Sequence, residues 1–403
     1  MDFKNYLVPG KTGLLIGIGG VSMSPLAEVL HDAGLDIRGS DMAESSNTLT
    51  LRERGIPIHI GHSADNVTDD ISFVIRTAAV HDDNPEVHEA HRRGIPVFER
   101  TQAWGALMRG YQNALCISGT HGKTTTTSMC THIMMAAEKD PTVMIGGTLP
   151  LLKACHRVGK GNTIIMESCE YYNSFLALNP TIAVVLNIEA DHLDFFKDLE
   201  DIKHSFRCFA ERVPAETGTV IANYDDANTM DALRGIARKV ITFGLNAKAD
   251  VYAQNIVHRG SVSEFDIYHR GNYFARVTLH VPGIHNVRNA LAATAAAIVL
   301  GVSPNAVKYG LAGFEGAGRR FDFKGKFQGA DLYDDYAHHP SELRALLDAV
   351  DTLNYQRTIV VFQPHTYSRT AKLFNDFVEQ LRRPTIVYLA EIYAAREKNT
   401  IGI

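Results

Sequence analysis

The chain has 403 residues, 45% of them hydrophobic and 21% charged, and carries a formal net charge of -5. At roughly 150 residues per domain that means two or three domains with ordinary buried cores, and it excludes a disordered chain. Forty Lys and Arg against 45 Asp and Glu, with no long block of one sign, leave no electrostatic footprint for a nucleic-acid partner.

Residues 12–110 alternate short apolar runs with helical periodicity, giving strands at 12–18, 36–39, 57–60, 73–77 and 96–98 and helices at 24–33, 49–54, 85–93 and 101–108. Such alternation predicts a parallel sheet with right-handed crossovers. A second series has strands at 114–118, 143–145, 163–167, 182–188, 220–223 and 240–243, with helices at 123–137 and 199–212. Strict alternation over 262–281, split by Gly271-Asn272, predicts an antiparallel hairpin. An Ala-rich helix at 286–300 and another opened by Ser303-Pro304 follow, and then Glu315-Gly316-Ala317-Gly318 breaks the pattern. The third series offers strands at 359–362 and 386–389 and helices at 342–353 and 371–382. The expected fold is α/β in three domains: a Rossmann-like unit at 1–110, a central mixed-sheet ATPase-type unit at 111–314, and a Rossmann-like unit at 315–403 that stops soon after a strand, as an incomplete domain would.

The longest apolar stretch, 290–302, falls short of the ~20 residues that span a bilayer, and the N-terminus runs from Leu14-Leu15-Ile16 into a glycine turn, unlike a secretion signal. A cytoplasmic protein with no membrane partner is expected. The five cysteines are odd in number and widely spaced, which points to neither a disulfide framework nor a C-x-x-C metal site.

Two loops suit phosphate. Gly17-Ile18-Gly19-Gly20-Val21-Ser22-Met23-Ser24 follows a strand and opens a helix, where backbone N–H groups and the helix dipole favour a diphosphate. The dinucleotide fingerprint needs Gly where Ser22 stands, although Asp41 at the end of the next strand suits a ribose hydroxyl; a turn tightened only for packing is the alternative. Gly119-Thr120-His121-Gly122-Lys123-Thr124-Thr125 is more specific: strand, loop, Lys-Thr and helix agree on a phosphate loop for ATP. There Lys123 neutralises β/γ charge and the Thr124 hydroxyl joins a Mg²⁺ shell. Glu167 and His192, at ends of strands in the same sheet, complete a candidate shell, with Glu170, Glu189, Asp191 and Asp194 as competitors and solvated carboxylates as the bland alternative. Asp334 to Pro340 and Gln363 to Arg369 follow strands of the third domain and suit either a cleft facing ATP or helix-capping turns.

Together these motifs resemble the Mur ligase family of ATP-dependent amide-forming enzymes in peptidoglycan precursor synthesis. The likeness covers essentially the whole chain, and Gly119 to Thr124, Asn187 to Asp194, Asp335 to Pro340 and Glu391 to Glu397 are similar to the members that act on L-alanine. The resemblance implies ATP and Mg²⁺ as cofactors and UDP-N-acetylmuramate and L-alanine as substrates, with an acyl phosphate formed first and the amine attacking second. It implies Lys123, His121, Arg320 and His338 in catalysis, and Thr124, Glu167 and His192 on the metal. Gly119, Thr120, Gly122, Thr125, His285, Asn286, Asn289, Arg320 and Asp335 would bind ATP. Gly19, Gly20, Ser22, Met23, Ser24, Asp41, His121, Tyr336, His338 and Arg369 would bind substrate. Thr366 stands where those members usually carry a second Arg, Cys169 interrupts a usual acidic run after Glu167, and Thr77-Ala78-Ala79-Val80 replaces a usual Ser-Ser-Ala pattern near uridine. The family's third domain continues for several tens of residues past the point matched by Ile403. Alternatives are a ligase attaching a ready-made tripeptide to the same sugar nucleotide, a non-catalytic nucleotide sensor, or an NAD dehydrogenase using the first glycine turn.

Overall fold

A computed structural model describes residues 2–77, 79–395, 397–400 and 402–403. Ala78 in the expected uridine stretch and Arg396 in the 391–397 stretch therefore lie outside the described residues.

The first sheet is wholly parallel, in the spatial order Ile58–Ile60, Asp36–Asp41, Thr12–Ile16, Ile71–Arg76, Val97–Glu99. Thr12–Ile16 is buried throughout, as a central strand covered on both faces must be. The order reverses beside it, and the glycine turn leaves its C-terminal end at that switch point.

The second sheet has ten strands. Its centre is parallel, with Asn113–Ser118 between Ile182–Val185 and Thr163–Glu167. One end becomes antiparallel through Val251–Arg259, Val262–His269 and Asn272–Leu279, and the other through Thr142–Leu149 and Ala154–Arg157. The expected hairpin is present, and the strands Val251–Arg259 and Ala154–Arg157 add to the sequence expectation. The central fold is thus the mixed sheet expected. Helices Lys123–Ala136, Ile284–Val299 and Pro304–Ala312 cover one face through a continuous core that includes Leu115, Ile133, Ile165 and Val287.

Helix Arg100–Met108 leans on the turn Tyr171–Ala177, and the core that includes Leu15 and Phe73 runs on through Ala114 and Phe206 beneath the second sheet. A Cβ on Gly105 would sit 2.0 Å from the Ala177 carbonyl oxygen. Since backbone cannot give way as a flexible side chain does, Gly105→Ala is expected to cost about 1–3 kcal/mol, read as a lower urea midpoint with an unchanged slope.

The third region departs from expectation in two places. A hairpin, Asp322–Phe327 with Ala330–Asp334, precedes the parallel pair Ile359–Phe362 and Ile386–Leu389. The single helix expected over 371–382 is instead two, Tyr367–Lys372 and Phe374–Leu381, broken at Leu373, whose φ of -107° and ψ of 21° leave the helical range. Its core is small, centred on Leu343, Phe362 and Phe377. No described helix is long and apolar enough to cross a membrane.

Candidate active site

The loop after Asn113–Ser118 is shaped by two left-handed glycines. Gly119 has φ 144° and Gly122 has φ 84°; a Cβ on the first would meet Leu186 Cβ at 2.8 Å, and on the second Asn289 Oδ1 at 2.7 Å. Only glycine fits there. The neighbouring strand locks the loop from its C-terminal end: Thr120 N–H donates to Asn187 O at 3.0 Å, and His121 N–H donates to Asn187 Oδ1 at 2.8 Å. The free N–H groups of helix Lys123–Ala136 thereby point out of a fixed cradle.

Lys123 Nζ donates to Gly119 O at 2.5 Å, to Thr120 O at 3.1 Å and to Glu170 Oε2 at 3.0 Å. Burial would strip its proton, but the Glu170 carboxylate prevails and holds the lysine above its ordinary value. Thr124 Oγ1 donates to Glu167 Oε1 at 3.0 Å, while Glu167 Oε2 accepts Gly146 N–H at 2.6 Å. A Cβ on Gly146 would stand 2.5 Å from Glu167 Oε1, so the carboxylate occupies a niche that only glycine leaves open. A hydroxyl beside a carboxylate is a hard-oxygen donor set, and these two residues fit Mg²⁺. His192 is placed differently, its ring stacked on Tyr171 at 4.3 Å and its Nε2 3.9 Å from Glu170 Oε1. It thus adjoins the carboxylate that holds Lys123, and burial lowers its affinity for a proton, which suits an imidazole kept neutral.

A cleft of about 660 Å³ opens between the second sheet and the third region. Gly122, Thr125, His285, Asn286, Asn289, Arg320 and Asp335 all line it, so residues more than 200 positions apart in the chain converge there. Asn286 and Asn289 are buried and linked, Asn289 Nδ2 donating to Asn286 Oδ1 at 3.3 Å, and burial drives His285 down to about 4. Asp335 accepts the N–H groups of Phe321 at 2.7 Å and Ala337 at 2.8 Å, yet burial still raises its carboxyl. Arg320 lies over the Tyr336 ring at 5.4 Å and 3.9 Å from Glu342.

A second recess of about 410 Å³ is lined by His192, His365, Thr366 and Arg369 but by neither Tyr336 nor His338. Arg369 crosses to Asp191 through Nε at 3.0 Å and Nη2 at 2.8 Å, an almost fully buried pair. Burial opposes ionisation of Asp191, but His192, whose backbone N–H donates to Oδ1 at 2.8 Å, and then the Arg369 guanidinium hold the carboxyl far below its usual range. Thr366 donates to Glu397 Oε1 at 2.6 Å, tying two of the quoted stretches together. His338 Nδ1 instead faces its own neighbour, Tyr336 O, at 2.8 Å.

At the first glycine turn, Gly19 N–H donates to Asp41 Oδ2 at 2.8 Å. Ser22 receives a hydrogen bond from the Arg100 guanidinium on its hydroxyl and one from Trp104 Nε1 on its carbonyl. Gly20 closes the turn by donating to Gly17 O at 3.1 Å. Met23 and Ser24 are buried, Met23 within the core. Arg100 escaped the sequence reading because it lies 78 residues from Ser22 with no local pattern linking the two.

Residues 15–112 match the Mur ligase family, catalytic domain; 117–297 match the Mur ligase middle domain; and 319–400 match the Mur ligase, glutamate ligase domain. The UDP-N-acetylmuramate–L-alanine ligase of Agathobacter rectalis is 47% identical over 96% of this chain and 84% of its own length. The chain belongs to the Mur ligase family. Among solved Mur ligases, the UDP-N-acetylmuramate–alanine ligase of Thermotoga maritima superposes with a TM-score of 0.78 at 31% identity, covering 95% of this chain and 85% of that one. The Neisseria meningitides UDP-N-acetylmuramate:L-alanyl-γ-D-glutamyl-meso-diaminopimelate ligase gives 0.69 at 26% identity, covering 76% of this chain and 99% of that one. Both the family and its α/β three-domain fold therefore agree with the sequence expectation.

Proposed function

We infer that this Mur ligase is an ATP-dependent enzyme that joins L-alanine to the lactyl carboxylate of UDP-N-acetylmuramate in peptidoglycan precursor synthesis. The observation that carries the assignment within the site is the cleft in which Gly122, Asn286, Asn289, Arg320 and Asp335 meet beside Lys123. In this reading the chain divides at about 110 and 314, and it acts in the cytoplasm. The first glycine turn, with Asp41, Ser22 and Arg100, takes the uridine diphosphate. Asn286 and Asn289 face adenine, and Asp335 faces the ribose.

The lactyl carboxylate oxygen bonds to the γ-phosphorus of ATP as the bond to ADP breaks; the amine nitrogen then bonds to the acyl carbon and phosphate leaves. Lys123 and Arg320 offset charge on the transferring group, His121 aligns an oxygen beside the loop, and the docked third domain keeps water from the acyl phosphate. Thr124 and Glu167 would hold Mg²⁺, with His192 at the edge of that shell; the ion supplies charge neutralisation at the phosphates. His338 and Arg369 face the incoming amine.

ADP release separates this reading from attachment of a tripeptide. Turnover is expected with UDP-N-acetylmuramate and L-alanine together and not with either alone. Turnover with L-alanyl-γ-D-glutamyl-meso-diaminopimelate and none with L-alanine would reassign the amine.

A further inference from the structure

The third domain reaches the phosphate loop with the Glu342 carboxylate. Glu342 lies in the first turn of helix Pro340–Asp351, where its Oε2 accepts the N–H groups of His338 at 3.0 Å and His339 at 3.3 Å. With that oxygen committed to capping its own helix, Oε1 faces outward, 3.1 Å from His121 Nδ1. His121 is equally fixed from below: its backbone exchanges two hydrogen bonds with the Asn187 side chain, at 2.8 and 3.1 Å. Its Nε2 is buried without a hydrogen-bond partner, 3.4 Å from Glu189 Oε2. That glutamate oxygen is already engaged by the Ser341 hydroxyl, a second link between the two domains.

An imidazole facing a carboxylate on each side favours its charged form. Burial alone would lower its proton affinity, but Glu189 and Glu342 outweigh burial and raise His121 to about 9. The remaining charged or titratable neighbours do not reverse this. His339, with its ring 4.9 Å away, is driven toward the neutral form by burial, and Arg320 at 3.9 Å and His338 at 3.5 Å lie against Glu342.

We propose that Glu342 is a positioning residue that couples docking of the third domain to the phosphate loop, setting the His121 ring so that its Nε2–H, beside Glu189 at 3.4 Å, is the donor available to a phosphate or carboxylate oxygen in the cleft. The proposal rests on the ligase reading for its substrate, but the pairing can be measured without one. Because the folded value of His121 lies above the ordinary ~6.5, the pair contributes fully below that pH and is lost as pH rises through about 9.

Histidine NMR on the full chain without substrate should place the His121 titration near 9, and Glu342→Gln, which keeps the capping oxygen, should lower it by about one unit or more. In ADP-release assays the alkaline limb of kcat should move down by the same interval, so that activity at a pH on that limb falls about tenfold while KM for the sugar nucleotide changes less than about twofold. Glu342→Asp should restore part of the limb. His121→Asn should lack it altogether, whether or not Glu342→Gln is added. An unmoved His121 titration in Glu342→Gln, or in Glu342→Asp should the former not fold, overturns the pairing. A moved titration with an unmoved limb overturns its role in turnover. Failure of the ligase reading would look different, as absence of ADP release in the wild type while the titration shift persists.

Discussion

Lys123→Ala is expected to abolish ATP turnover while leaving sugar-nucleotide binding nearly intact. Loss of one preorganised charge at a transferring phosphoryl group costs on the order of 10²–10³ in kcat, and Lys123 is the loop's only cationic side chain besides His121 among the described residues. The substitution also strands Glu170, whose side chain is 3% exposed, at a cost of about 3–5 kcal/mol. The two effects separate with Lys123→Ala/Glu170→Gln, which should recover much of the stability and none of the turnover. Calorimetry should still detect the sugar nucleotide, because Asp41 ends a strand of a different sheet and Gly19 and Ser22 lie in the turn that leaves that sheet. Wild-type turnover in Lys123→Ala would remove the phosphate-loop assignment.

What could be read from the sequence follows from where burial leaves a periodic mark. Thr12–Ile16 and Asn113–Ser118 are buried along nearly their whole length and stand out as apolar runs, and Val262–His269 alternates because only one face is covered. Val251–Arg259 escaped because only its first three residues are buried, and the hairpin Asp322–Phe327 with Ala330–Asp334 because it has no buried residue at all. The break at Leu373 has neither Gly nor Pro to announce it.

The site divides along the same line. Gly119, Gly122, Lys123 and Thr124 are contiguous, and their chemistry forces their order. Glu342 meets His121 across 221 positions and Arg369 meets Asp191 across 178, and such pairings exist only once the domains dock. Glu342 reads locally as a capping residue, which it also is; its second oxygen carries the information that local reasoning lacks.

Glu167→Gln tests the metal shell with little disturbance of the fold. The amide oxygen can still accept the Gly146 N–H while the new NH2 donates to the Thr124 hydroxyl, so the thermal midpoint should hold, while the lost charge should raise the Mg²⁺ concentration for half-maximal activity by at least about tenfold. Gly146→Ala should act in the same direction without altering charge, since its Cβ would displace Glu167 Oε1 from 2.5 Å away. His192→Ala should shift the titration less, because its Nε2 lies 3.9 Å from Glu170, so its first effect is on the carboxylate that holds Lys123. Identical Mg²⁺ titrations for wild type, Glu167→Gln and His192→Ala would refute the shell. A larger shift in His192→Ala than in Glu167→Gln would move the ion toward Glu170 and away from the niche at Gly146.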